Sequence, residues 1–356
     1  MVAGTARARR RRVAAAPAAC VLALVAACGI VGDGRPSPVP GGRSPAAVPA
    51  APAASATPSP PPLPPVTDLA AAGGTTLDVK DADWVQVVDG NVWTTLGSER
   101  AVRLDPTTGA ETVRVPTGGQ VCTAMDQGFG SLWVAVCSTP AQVLRLDPST
   151  GKVAARIEVP DVEVMEEGSV ASGEGFVWVV ALGAERTLVK IDPTTDEVVD
   201  LVPVEVGVVG ARAGEGALWL TNPQDGVLTR RDVGTGAVVA TIPTGRGARF
   251  FAVGEGAVWV QNNVDGTVSR VDPATNRVTA TVVVDSGPVQ GGDLAVGGGF
   301  VWARTSDALV AKIDPATATV VARYGPAAGS GSVAADGSAV WISAHDVDAV
   351  HRLPLP

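Results

Sequence analysis

Residues Gly254–Val278 read GEGAVWVQNNVDGTVSRVDPATNRV. A Trp follows a Gly-x-Gly, and an Asp-Pro follows the Trp thirteen residues on. Aromatic, Asn, Asp and Arg side chains crowded together suit a binding site. They suit a repeated structural unit equally well, and the rest of the chain separates the two.

Trp recurs at 93, 133, 178, 219, 259, 302 and 341, with gaps of 39 to 45 residues. Asp recurs at 105, 147, 192, 232, 272 and 314, twelve to fourteen residues after a Trp. Two markers on one period identify seven copies of a unit of about 42 residues. A Gly stands three residues before the Trp in six copies, with Ser338 the exception. Such a Gly permits the positive φ of a tight hairpin. The Trp strand that follows, as in Ala257-Val258-Trp259-Val260, is apolar on both faces and so is expected to be covered on both. Each Asp ends a strand and opens a turn. Its carboxylate accepts from the next amides, and the Pro that follows in most copies pre-sets φ. The residue after the turn is Gly109, Gly151, Asp196, Gly236, Asn276 or Ala318, and all but Ala318 suit the left-handed position of a bulged hairpin.

Each copy is therefore expected to be a four-stranded antiparallel meander. Seven of them predict an all-β, seven-bladed β-propeller over residues 75–356. The seventh copy lacks its outermost strand, and residues 75–79 form a strand with no copy of their own. That segment is expected to complete the last blade and remove an exposed edge. Gly-x-Gly-x-Val-Trp followed by (Arg/Lys)-aliphatic-Asp-Pro-x-Thr resembles the YVTN-type seven-bladed propellers, which include virginiamycin B lyase. The resemblance spans roughly residues 75–356 and is specific for fold more than for activity.

Residues 1–27 read as an export signal: Arg7 and Arg9 to Arg12, then an apolar run to Ala27 that is short for a membrane span. The run ends Val25-Ala26-Ala27-Cys28-Gly29, which resembles a lipobox with Cys28 as the lipidated residue. An ordinary secretory signal containing Cys28 is the alternative. Residues 28–72 read as a Pro/Ala-rich disordered tether, with twelve prolines between Pro36 and Pro65. The 39 residues from Gly29 to Thr67 reach roughly 120 Å at about 3.1 Å each. From residue 75 onward, 20 Lys and Arg stand against 34 Asp and Glu, a net of −14. That balance argues against nucleic acid. Membrane contact is expected through the anchor only, and a monomer is expected.

A residue present in every copy serves the fold, whereas one that occurs once can serve a ligand. By this test the repeated Trp are core. The basic residues Arg103, Arg145, Lys190, Arg230, Arg270, Lys312 and Arg352 are expected to pair with carboxylates between blades. Cys122 and Cys137 occur in one copy, equidistant from a turn near residues 128–130. They predict a disulfide in an exported protein, with free thiols or a redox pair as alternatives.

Channel-mouth loops supply the ligand-binding candidates Asn222, Asp225, Gln261, Asn262, Asn263, Asp265, Arg246, Arg249, Arg304 and His345. In the acidic insertion 161–167, Glu163, Glu166 and Glu167 offer hard oxygens for Ca²⁺ or Mg²⁺, though without EF-hand spacing. A solvated acidic loop is the alternative, and no other cofactor is expected. His345 beside Asp346 is the candidate general base. The lyase activity implied by the resemblance relies on His, Glu and Mg²⁺, but no residue here matches that motif position by position. Three readings stay open: a tethered binding or sensing module for a small molecule, glycan or envelope protein, a metal-dependent lyase, and a structural envelope part.

Overall fold

The computed structural model describes residues 61–355, apart from 98–99, 139, 160–161 and 165–169. Cys28 and the signal segment lie outside the described residues, as do Glu166 and Glu167. Seven sheets form, and in six of them the four blade strands are successive in the chain. Blade 1 runs Ala82–Val88, Asn91–Leu96, Arg100–Leu104 and Glu111–Pro116, from the innermost strand outward. Blades 2 to 6 repeat this order, and their innermost strands line one channel with that of blade 7. The ring is a seven-bladed β-propeller.

Local chemistry explains each turn. The first hairpin turns on two residues, both with positive φ in blades 1 to 6: for example Asp89 and Gly90, or Glu255 and Gly256. Two left-handed residues in a row make a type I′ turn, whose twist matches that of the strands. At the second hairpin the Asp carboxylate caps its own turn. Asp105 Oδ1 accepts from the amides of Thr107 at 2.9 Å and Thr108 at 2.8 Å. The equivalent bonds at Asp147, chiefly that from the hydroxyl of Ser149, hold its carboxyl pKa at about 2. The left-handed residue after the turn is present even where the side chain disfavours it, since Ala318 sits at φ 50°. A register shift follows in the adjoining ladder, as between Lys312 and Ile313.

The seven repeated Trp are each at most 3% exposed. Burying one indole is worth about 5 kcal/mol by area. Each Trp stands directly across from its blade's basic residue, as Trp259 does from Arg270. In blades 2 to 7 the cation lies over the ring at 5.1 to 5.7 Å. In blades 1 to 4 the far end of the cation crosses to the next blade, with Arg103 donating to Ser149 O, whereas Arg270 donates to Thr279 Oγ1 of its own blade. Arg145 Nη1 donates to Pro193 O at 2.9 Å, Lys190 Nζ to Gly234 O at 2.7 Å, and Arg230 Nη1 to Pro273 O at 2.7 Å. Carboxylate partners were expected, but carbonyls take their place. The turn aspartates already accept from their own amides, which leaves the turn carbonyls to receive the neighbouring cation. Among the described residues, Arg145 with Asp196 at 3.1 Å is the one pairing of this set with a carboxylate.

Blade 7 takes Val333–Ala335, Ala339–Ala344 and Ala349–Pro354 from the C-terminus and Thr75–Asp78 from the N-terminus. Leu77 faces Val350 and is buried. The expected closing strand is thus present. A second strand, Val66–Asp68, falls within the stretch read as tether. It pairs parallel with Thr319–Gly325, the outer strand of blade 6. Leu69 then buries itself against Trp302, Val333 and Ile342. Three residues between Pro65 and Leu69 carry no strand pattern of their own. Backbone bonds to an existing edge are what hold them.

Cys122 and Cys137 form a disulfide with Cα atoms 5.3 Å apart. They are not directly opposed, as the spacing implied. Cys137 faces Gln120, and the register shifts between Val121 and Met125, so Cys122 bonds from within a bulge. Peptide mapping of the unreduced, denatured chain should recover both cysteines in one cross-linked species. Two alkylated cysteines would overturn the bond. Reduction should lower stability by about 2–4 kcal/mol in chemical denaturation.

Candidate functional site

Two regions break the sevenfold symmetry: the loop-bearing mouth and the channel wall. At the mouth, the second-to-third-strand loops and the blade connections do share one face. Residues 223–226, 243–247, Val264 and Asp265 line a hollow of about 570 Å³. Gln290, Gly291, Thr305, Ser306, Ala327 to Ser330 and Asp346 line another of about 530 Å³.

Most of the sequence candidates there are committed to the fold. Asn222 is buried and closes its own turn, with Oδ1 accepting from Gln224 N at 3.1 Å and Nδ2 donating to Asp225 at 2.8 Å. Gln261 is buried and donates to Arg304 O at 2.7 Å. Asn262, also buried, donates to Ser269 Oγ at 2.9 Å, and Asn263 donates to Val289 O and Gly291 O. The Arg304 guanidinium is 1% exposed. It donates to the carbonyls of Leu309, Ala328 and Gly329, and burial lowers its pKa to about 10. Arg249 lies in the innermost strand Ala248–Gly254, over the Phe250 ring at 5.1 Å. Arg246 remains outward and exposed, and both its amide and its Nε donate to Asp265 at 2.7 Å. Glu163 is exposed in a two-residue strand, Glu163–Val164, paired to Leu182 and Ala181. No group of three or more potential metal ligands occurs among the described residues.

His345 Nε2 lies 2.5 Å from Asp346 Oδ1, while Ser330 Oγ is 3.4 Å from Nδ1 and 3.2 Å from Nε2. A nucleophile–base relay needs the serine and the carboxylate on opposite ring nitrogens. Here Asp346 and Ser330 both crowd Nε2, and the carboxylate on the Nδ1 side, Asp83 Oδ1, stands 3.8 Å away, beyond hydrogen-bond reach, so the arrangement is a surface hydrogen-bond cluster. His351, by contrast, is buried in the third strand of blade 7 with Nδ1 2.9 Å from Thr76 Oγ1.

The channel wall holds charge that loop reading missed. A cavity of about 240 Å³ is lined by all seven innermost strands. Gln86, Asp126, Arg212, Ala252, Ala295 and Ala334 each face their blade's Trp across the first hairpin. The position is alanine in blades 5 to 7 but carries charge in blades 2 and 4, a signal present in the sequence. One step nearer the mouth stands Asp293 on blade 6.

Asp126 Oδ2 accepts from Ser172 N at 2.6 Å and Ser172 Oγ at 3.1 Å. Arg212 Nη1 donates to the carbonyls of Ala211 at 2.9 Å and Val170 at 3.3 Å. Asp293 Oδ2 accepts from Val333 N at 3.0 Å. Burial raises the pKa of both aspartates, Asp293 to about 6, against the pull of the Arg212 charge.

These features define a class: a seven-bladed β-propeller with a charged, asymmetric channel. Among solved structures the chain is similar to BamB from Moraxella catarrhalis, at 13% identity and a TM-score of 0.52, over 75% of this chain and 83% of that one. It is also similar to the WD40 domain of Neurospora crassa Pan2, at 10% identity and a TM-score of 0.62, over 78% and 90%. At these identities the likeness extends to the fold alone. No protein-family model matches the sequence, and no curated protein matches it.

Asp293 and His351 bias stability in opposite directions with pH. The folded pKa of Asp293 lies above its ordinary 3.8, so the folded state holds this proton more tightly than the unfolded chain up to about 6. Its contribution is greatest in acid and is lost as pH rises through about 6. Burial lowers His351 from 6.5 to about 4, so its contribution is present above 6.5 and is lost as pH falls toward 4. Asp293→Asn should therefore gain up to about 3 kcal/mol at neutral pH. It should also fall in stability more steeply than the wild type on acidification. Urea midpoints measured across this window test it, and an unchanged profile would count against a buried, charge-strained Asp293.

Proposed function

We propose that this chain is an exported, lipid-tethered propeller of the YVTN type, acting as a binding, sensing or scaffold module through its channel and loop-bearing mouth. One observation carries the reading. In a ring whose repeated side chains all serve the blades, Asp126, Arg212 and Asp293 place unrepeated charge in the channel wall. Charge in such a place costs stability, as the raised carboxyl pKa values record. A ligand that meets it recovers that cost. The Arg-rich start, the apolar run and Val25-Ala26-Ala27-Cys28 support export and anchoring at Cys28. The occupant is a small molecule, a glycan or an envelope protein. The crowding of His345 Nε2 gives the lyase alternative no support beyond proximity.

Metabolic labelling with an alkynyl fatty acid tests the tether. Wild-type protein should carry label in the membrane fraction. Cys28→Ala should lose the label and leave that fraction, and an unlabelled wild type would sink the anchor while sparing the module. Thermal melting against metals, sugars and small metabolites tests the module. A ligand-dependent rise without turnover supports it, and Mg²⁺-dependent turnover would replace it with the lyase.

A further inference from the structure

Two groups in the channel leave capacity unspent. Asp293 is 2% exposed, and its Oδ1 has no hydrogen-bond partner among the described residues. Asp126 differs, because Ser172 saturates its Oδ2 twice. Arg212 donates through Nη1 alone, to two carbonyls, and among the described residues it makes no ion pair. Both Arg212 and Asp293 line the same cavity, on blades 4 and 6, and neither reaches the other. A buried acceptor without a donor is costly.

The missing partner must donate toward blade 6 and accept toward blade 4. Charge sets a further condition. Asp126 and Asp293 stand against Arg212 and Arg304, and Arg304 acts on Asp293 from the second strand of blade 6. The cavity lining itself carries Asp126, Asp293 and Arg212, and the two with unspent capacity, Asp293 and Arg212, are of opposite sign, which favours a ligand that is neutral overall but carries both signs. Size sets the last condition. About 240 Å³ matches roughly eight waters at about 30 Å³ each, or a molecule of about ten heavy atoms. The aliphatic lining of Val87, Val253, Leu294 and Val296 suits a small apolar side group.

Resting on the binding-module reading, we propose that the channel holds a small zwitterion of the α-amino acid class. Its ammonium donates to Asp293 Oδ1, and its carboxylate accepts from the remaining N–H groups of Arg212. Both contacts are charge-assisted hydrogen bonds inside the ring, the strong kind.

Titration calorimetry of the purified full-length chain tests this, with the individual proteinogenic α-amino acids at neutral pH and with methylammonium, acetate and glycinamide as partial probes. At least one amino acid should bind, and each partial probe should bind it at least about tenfold more weakly. Asp293→Asn keeps an acceptor for Val333 N and removes the charge, so it should weaken that binding at least about tenfold. Should this variant fail to fold, the wild-type affinity at falling pH decides. It should decline as Asp293 takes up its proton, with Asp126, Arg212 and Arg304 as the other charges facing the site. An amino acid that binds Asp293→Asn as tightly as wild type overturns the proposal. So does affinity that ignores pH, or the absence of any amino-acid binder. If a sugar or peptide raises the melting temperature while no amino acid binds, the ligand class falls and the module reading stands.

Discussion

The ring depends on one contact made between neighbouring blades. In blades 2 to 4 a cation lies on its blade's Trp and donates past it to a turn carbonyl of the next blade, as Arg230 does over Trp219 to Pro273. The indole face supplies the seat, and its bulk buries the stem of the cation. The turn can accept because its aspartate has already satisfied the local amides, as Asp272 does for Ala274 at 2.8 Å. Trp, basic residue and Asp are thus parts of one device. That is why they recur together, and why a ring of cations that resembles a ligand cage is a set of couplings.

Once these couplings hold the blades, the innermost strands meet at the channel with little freedom in their positions. Small residues fit there, and alanine fills the position across from the Trp in blades 5 to 7. The scaffold does not ask for Asp126 or Arg212 at that position. Asp126 does accept two bonds from the neighbouring blade, both from Ser172. Arg212 contributes its carbonyl contacts and a cation–π approach to Phe251 at 6.0 Å. Charge sits in the wall where uncharged side chains serve the other blades.

The blades were legible in the sequence because every structural demand is written seven times, and a turn that needs an Asp needs it in each copy. The site was harder to read for two reasons. Polar residues at strand ends, such as Asn262 and Gln261, look like loop residues until their burial is seen. They hydrogen-bond inward because a strand that enters a covered sheet must satisfy its end groups. Asp126 and Arg212 were hidden differently. They lie within apolar-looking innermost strands, where only the contrast with alanine at the equivalent positions of other blades marks them. Val66–Asp68 and the bulge that aligns Cys122 depend on partners elsewhere in the chain, which local pattern cannot supply.

The strand Thr75–Asp78 belongs to the first of the ring to be synthesised, yet its partner is the last. Thr76 meets His351 across 275 residues of sequence. Blade 7 therefore has no outer edge until the chain is complete, and Leu69 has no seam to enter between blades 6 and 7. For most of its synthesis the chain is an open arc with one unsatisfied flank. Closure is a single late event in which Thr75–Asp78 meets Ala349–Pro354, so a product cut short before the latter strand is left with a gap in place of blade 7.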